Sequence, residues 1–561
     1  MRALAVTVGI AGVVACAAPP PKQQIVTVAA RDTVHDAKTL HVTLSNSGGT
    51  VSQDLDLGSH AFPVTFGVEA TGRTGDLGIA VNALDANQLV VGLGTATAAI
   101  DDPTTSVMLE GADFVVNTDF ADDQELDGDF EANGYQLAAS ADGTWFASYH
   151  GACTDPCHMF GRRFDASGKA VESAAAASSN AFPITTTLSA GSPNTAIVAN
   201  GAKTAAFWDF NDSVAATQGV ACRTFDPQGT ALPSQAVIAM DTSTDVVAAT
   251  ALSNSNFAVS WVAFTTTSVI RGAVARPDCS VSAGPFTVNT TTTGSIHRPT
   301  VSASGNVIMY AWIVDGNVRF RTATNGGLFG ASDAVMFAAT ATESVEHVRL
   351  APYGAGFAVA VRWAPTSAAG QSRIEIYLAD NTGKITLGPS VLTTATNPQF
   401  EQPDSFGMST RPDGAIMVVW HECHDNGDGN GCGVFGRLVR PTLAPVGDRL
   451  TIPTTTMGDQ TGPSVTGLAK AFAVAWTDKS GAEPDHSGLA ARARVISPPY
   501  DDASAILGGT CSAAVACGAM RTCATGTDSV PRCYETCTPP TCPHGGHCTL
   551  GLDGATSGCA F

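Results

Sequence analysis

Apolar and polar residues alternate along this chain in short runs, and one run keeps returning. Between Gly414 and Val439 an apolar strand ends on tryptophan (Ala415 to Trp420), a polar loop follows, and a second strand runs from Val434 to Val439. FAVSW at 257–261, IMYAW at 308–312 and FAVAW at 472–476 repeat the first half of it. Tight turns such as FDASG (164–168) and FDPQG (225–229) lie behind it, and closing strands such as FTVNT (286–290) follow. Aligning the strand ends gives Tyr149, Trp208, Trp261, Trp312, Trp363, Trp420 and Trp476, at spacings of 59, 53, 51, 51, 57 and 56. Six of the seven tryptophans mark this position, and Trp145 lies in the same strand of the first repeat. A period of about 50 with several strands per repeat is the signature of propeller blades, which must stack on neighbours to bury both faces. The chain is therefore expected to be all-β, with a seven-bladed β-propeller over 111–505 and the aromatic register as its wedge-filling core.

The last repeat predicts how the ring closes. After LAARARVISPP (489–499) it runs on with no FxVNT strand, while an orphan copy, FVVNT, stands at 114–118, ahead of the first repeat. A strand from before blade one is thus expected to complete blade seven.

Outside the repeats the pattern changes. From 25 to 110, LHVTLS, FPVTFGVEA, LGIAVNAL and QLVVGLG alternate apolar and polar residues between turn-forming residues. This predicts a small antiparallel β-sandwich of immunoglobulin-like type, acting as a spacer or a small binding module. Residues 506–561 hold eight cysteines and almost no long apolar side chains, so this module must be stapled rather than packed. CTPPTCPHGGHC (537–548) resembles an EGF-like module in its CPHGGHC phrase; zinc ligation by His544 and His547 is the competing reading.

Charged residues make up only 14% of the chain against roughly 25% in an average domain, and the net charge is −21. Acidity without a basic run argues against a nucleic-acid partner. Residues 1–16 read as an export signal whose end, Val13-Val14-Ala15-Cys16, resembles the bacterial lipobox, with Cys16 lipidated. An ordinary signal peptide cut nearby is the alternative. Residues 17–24 form a proline-rich tether. No later stretch reaches the ~18 apolar residues of a membrane helix, so the expected membrane link is the lipid alone. Export makes disulfides the default for the other cysteines. Setting Cys16 aside leaves an even fourteen, six of them (Cys153, Cys157, Cys222, Cys279, Cys423, Cys432) in the body.

Chemistry is expected in the loops that leave the tryptophan strand. They are long and decorated in repeats one, six and seven, which are neighbours around a closed ring. They supply His150, His158, His421, Glu422, His424, Asp478, Asp485 and His486 as binding-loop residues, with Cys153–Cys157 and Cys423–Cys432 able to clip their own loops. Asp425, Asn426, Asp428 and Asn430 alternate oxygen ligands before Gly431 in a pattern that could wrap a calcium ion, though the usual distal glutamate is replaced by Arg437. The acidic run 119–129 is a solvated loop or a second partial calcium site. His421-Glu422-Cys423-His424 has the wrong histidine spacing for a metalloprotease, and no G-x-S-x-G occurs. SADGTW (140–145) resembles the Asp box of sialidase propellers but lacks one spacer residue.

Taken whole, the W…FDxxG…FxVNT rhythm resembles bacterial surface lipoproteins built on propeller-type repeats. That resemblance implies a display scaffold and carries little about activity. The expected function is a non-enzymatic binding or adhesion protein, holding an extracellular glycan or protein on the loops of blades one, six and seven. A polysaccharide hydrolase or lyase, which needs two converging carboxylates, and a purely structural envelope protein are the alternatives.

Overall fold

The computed structural model describes residues 23–117 and 136–497 apart from short stretches, among them 70–74, 152–157, 172–180, 187–193, 213–216, 396–405, 424–426, 429–430 and 483–487. It also describes Leu126, the strand Val6–Thr7 and four strands of the tail. Among these residues there is no helix.

Seven four-stranded antiparallel sheets follow one another along the chain, so the propeller has seven blades. Blade six is representative: Phe406–Thr410, Ile416–Glu422, Gly433–Val439 and Pro445–Thr451 pair in sequence order. Its second strand is buried at every position, because a blade is covered on both faces. The six aligned tryptophans and Tyr149 are between 0% and 7% exposed, which makes them core residues as expected.

The W…FDxxG…FxVNT rhythm has a packing cause. Three closing-strand phenylalanines lie on the turn glycine of the next blade: Phe114 against Gly168, Phe182 against Gly229 and Phe286 against Gly327. A Cβ at Gly168 would stand 2.6 Å from the Phe114 ring, and its φ of +89° also favours glycine. A second tie was not visible in the sequence. Two residues past the cross-strand partner of the aligned aromatic, the third strand carries an arginine in five blades, and it donates to a main-chain carbonyl that closes the preceding blade. The pairs are Arg162 to Val116 O, Arg223 to Ile184 O, Arg321 to Val288 O, Arg437 to Leu392 O and Arg494 to Ile452 O. Blade three has Ala273 at this position, and there the Cys222–Cys279 disulfide joins blades two and three instead.

Ring closure follows the expectation. Phe114–Val115 pairs with Ala490–Ile496 as the fourth strand of blade seven, with Val115 opposite Arg492. The Phe114 ring also meets Trp145 and Phe164 of blade one, at centroid distances of 6.3 and 5.3 Å. Asp113 accepts from Thr454 N and Thr455 N of the blade-six closing segment, both at 2.8 Å. Asp333 does the same for Thr290 N and Thr291 N between blades three and four, so the borrowed strand copies an ordinary blade junction.

The N-terminal strands form one eight-stranded sheet order that begins at Val6–Thr7. Alternate positions of Thr39–Asn46 and Asp76–Leu84 point into a shared core with Val26, Phe66 and Leu109. One pairing departs from the antiparallel expectation: Gln23–Ala30 runs parallel to Thr104–Gly111. Leu89 leaves this core and packs among Leu450, Ile452 and Trp476, while Arg494 donates to Val90 O at 2.5 Å. The sheet is thus docked on the outer edges of blades six and seven. In the tail, Arg521–Thr525 pairs with Pro531–Glu535, and His547–Leu550 with Ser557–Ala560.

Candidate functional site

Strands alternate in direction within a blade, so the loop leaving the second strand and the connection entering the first open on the same face. On that face the loops of blades six and seven meet around one residue. Asp459, in the connection between the two blades, accepts from Cys432 N through Oδ1 and from Lys479 N through its carbonyl. Gln460 N donates to Cys432 O at 2.7 Å. The Cys423–Cys432 disulfide closes the blade-six loop. Blade one joins from the other side: Arg162 holds Val116 O, Tyr149 donates to Asn117 Oδ1, and Leu126 N donates to Thr477 Oγ1. Direct contacts thus join blade six to seven and seven to one, while 152–157 of the blade-one loop and 483–487 of the blade-seven loop lie outside the described residues.

Several of the anticipated residues support this sector from beneath. Glu422, 1% exposed, accepts from Trp420 Nε1, Thr393 Oγ1 and Arg449 at 2.7, 2.7 and 2.5 Å. Asp478, fully buried, accepts from Arg492 Nε at 2.8 Å and also bonds Ser480 and Gln460. Burial pushes the Asp478 carboxyl up, an effect that its donors only partly offset. His150 and His421 are buried, whereas His158 is exposed. Asp428 lies at the base of the blade-six loop, against Gly433. His424, Asp485, His486, Cys153, Cys157, Cys16 and three of the residues expected to wrap calcium, Asp425, Asn426 and Asn430, lie outside the described residues. Among the described residues no group of three His, Cys, Asp or Glu side chains is placed to hold a metal ion.

His150 carries a testable consequence. Burial holds its imidazole down to about 4, and its Nε2 has no hydrogen-bond partner. The unfolded chain takes up a proton near pH ~6.5 that the folded chain refuses until about pH 4. Stability linked to this group is therefore present above pH ~6.5 and lost as pH falls toward 4. Replacing His150 by Gln is expected to flatten the stability-against-pH profile in that window, measured by denaturant midpoints; an unchanged slope would contradict the burial argument.

Three further groupings were not legible in the sequence. Asp209 and Asp245, from blades two and three, share Asn194, which donates through N to Asp209 Oδ1 and through Nδ2 to Asp245 Oδ1, at 2.9 and 2.7 Å. Burial, and then the neighbouring Asp245 charge, raises the Asp209 carboxyl well above the usual carboxylate range. In blades four and five, Arg298, Arg362 and Arg349 surround the buried His347 and, after burial itself, hold its imidazole well below its ordinary value. Arg362 pairs with Glu346 at 3.1 Å, and Arg298 donates to Glu346 O. The third grouping is a cavity of about 290 Å³ where the N-terminal sheet meets blades six and seven. Asp36, Lys38, Asp85 and Val91 line one wall, and Arg449, Thr451, Pro453, Thr454, Thr456 and Arg494 line the other.

No family model matches the chain, and no curated protein does. Solved structures resemble it distantly. A Dyadobacter fermentans protein of unknown function has 9% identity and a TM-score of 0.39, over 69% of this chain and 98% of that one. For AofleA from Arthrobotrys oligospora the values are 10% and 0.36, over 61% and 95%. For the phage phi92 endosialidase they are 10% and 0.38, over 80% and 79%. At such values the likeness says nothing about what this chain binds.

Proposed function

We propose that this chain is an exported display protein, lipid-anchored through Cys16, that holds an extracellular glycan or protein on the loop sector of blades six, seven and one. The observation that carries this reading is the joining of two decorated loops through Asp459, with a disulfide across one of them. Loops tied to one another and to a rigid ring lose little freedom on binding, so less of the contact energy is spent on ordering them. The N-terminal module, in this reading an immunoglobulin-like spacer, sets the sector at a fixed angle to the tether. Cleavage before Cys16 would remove the Val6–Thr7 edge strand and leave the other seven. The tail is taken as an EGF-like module.

A second reading, a glycan hydrolase, is favoured by one observation: the Asp209–Asp245 pair, in which one carboxyl is held toward the protonated state beside another carboxylate. That is the division of labour an acid and a base require. A glycan array probed with the mature protein, and read for both retention and cleavage, separates the two readings. Retention without cleavage is expected. Changing Cys423 and Cys432 together to Ser is expected to weaken retention tenfold or more. Cleavage products would favour the second reading, and a blank array would remove the glycan from the first.

A further inference from the structure

The cavity between the N-terminal sheet and the propeller has a chemistry of its own. Its floor holds Arg494, which is 2% exposed and makes every one of its hydrogen bonds to main-chain carbonyls: Thr451 O, Ile452 O and Val90 O. The equivalent arginines of blades two, four and six, Arg223, Arg321 and Arg437, stay partly exposed, so water reaches their charge. At Arg494 the docked sheet takes that water away; Asp85 and Asp113 lie close enough to favour its charged form, but neither forms an ion pair with it. Buried charge is costly without a counter-charge.

The rest of the lining suggests what could supply one. Arg449 stands at the rim, fixed by Glu422 at 2.5 Å and lying 3.8 Å over the Phe435 ring. Lys38, also exposed, faces it from the sheet. Around these cations are the hydroxyls of Thr451, Thr454 and Thr456 and the carboxylates of Asp36 and Asp85, groups that accept hydrogen bonds from alcohols. Val91, Ala86 and Pro453 add a small apolar patch. A volume of about 290 Å³ lies at the low end of ligand pockets, roughly 300–1,000 Å³, and suits one sugar ring rather than a chain.

The geometry points to a binding site for a carboxylate-bearing sugar unit, a hexuronate, with its carboxylate toward the Arg494–Arg449 wall and its hydroxyls toward the threonines and Asp36. This rests on the binding reading in taking the ligand to be a glycan, but it uses a different surface from the joined loops. Calorimetric titration of the full chain with sodium glucuronate, glucose and sodium acetate tests it. Glucuronate is expected to bind at least tenfold more tightly than glucose or acetate, and Lys38→Met and Arg449→Met are each expected to weaken it fivefold or more. Because Arg449 also supports Glu422, the exposed Lys38→Met carries the decision if Arg449→Met fails to fold. Equal affinity for glucose, equal affinity for acetate, no heat with glucuronate, or a Lys38→Met chain binding as tightly as its parent would each overturn the assignment. A chain that retains array glycans through its loops yet ignores glucuronate keeps the first reading and loses this one. The converse pattern does the reverse.

Discussion

Changing Asp113 to Ala is expected to lower stability by about 3–5 kcal/mol and to broaden the unfolding transition. The side chain is 3% exposed and accepts from Thr454 N, Thr455 N, Thr455 Oγ1 and Arg492. Removing it leaves two buried amides without an acceptor and takes a carboxylate from Arg492, and such losses are worth that sum. The breadth of the transition is the more telling readout. Asp113 fixes the borrowed strand to blades six and seven, and that strand alone brings Phe114 against Trp145 and Val116 O within reach of Arg162. Without it the junction of blades seven and one is left to the cluster of Leu137, Trp145 and Ala147 with Ala473 and Ala475, and is expected to open first. Asp333→Ala provides the comparison, since it cuts a matching set of bonds inside the ring, between blades three and four. Its midpoint should fall while its slope holds. If the two variants unfold with the same slope, the borrowed strand is not what closes the ring.

Trp420→Ala is expected to cost about 3–5 kcal/mol, the usual range for emptying a buried aromatic site. Trp420 is fully buried in a cluster with Ile374, Phe406 and Leu443, so its wedge spans blades five and six. The substitution also takes the indole N–H from Glu422, which keeps Thr393 and Arg449. Trp420→Phe retains most of the volume and should recover more than half of the loss. If Phe recovers nothing, the indole hydrogen bond matters more than the wedge. Denaturant midpoints of the three proteins decide between them.

What the sequence showed and what it hid have a common physical explanation. The aligned tryptophans could be read directly because each repeat sets one large side chain at one register of one strand, and a wedge between sheets admits nothing smaller without a void. The arginine ties could not, because their register is fixed through the hydrogen-bond ladder across a loop of variable length. The offset runs from nine residues, Trp312 to Arg321, to eighteen, Trp476 to Arg494. The borrowed strand stood out because its motif was misplaced. The cavity was hidden because its walls come from residues 36–91 and 449–494, with nothing in either segment to announce the other. His421, Glu422 and Asp478 were legible as polar residues near a loop, but whether a carboxylate at a strand end faces solvent or is tied down, as Glu422 is by Thr393 of blade five, depends on the blade beside it.

Closure by a strand from ahead of the first blade also sets an order of assembly. In a chain made amino end first, Asp113 emerges 379 positions before the Arg492 that it must meet. Until then the early blades can only stack as an open arc with a bare edge at each end. The segment that comes out first is the last to be seated, so a chain halted before blade seven would be left with unsatisfied backbone on display, a ready mark for the proteases that clear unfinished products.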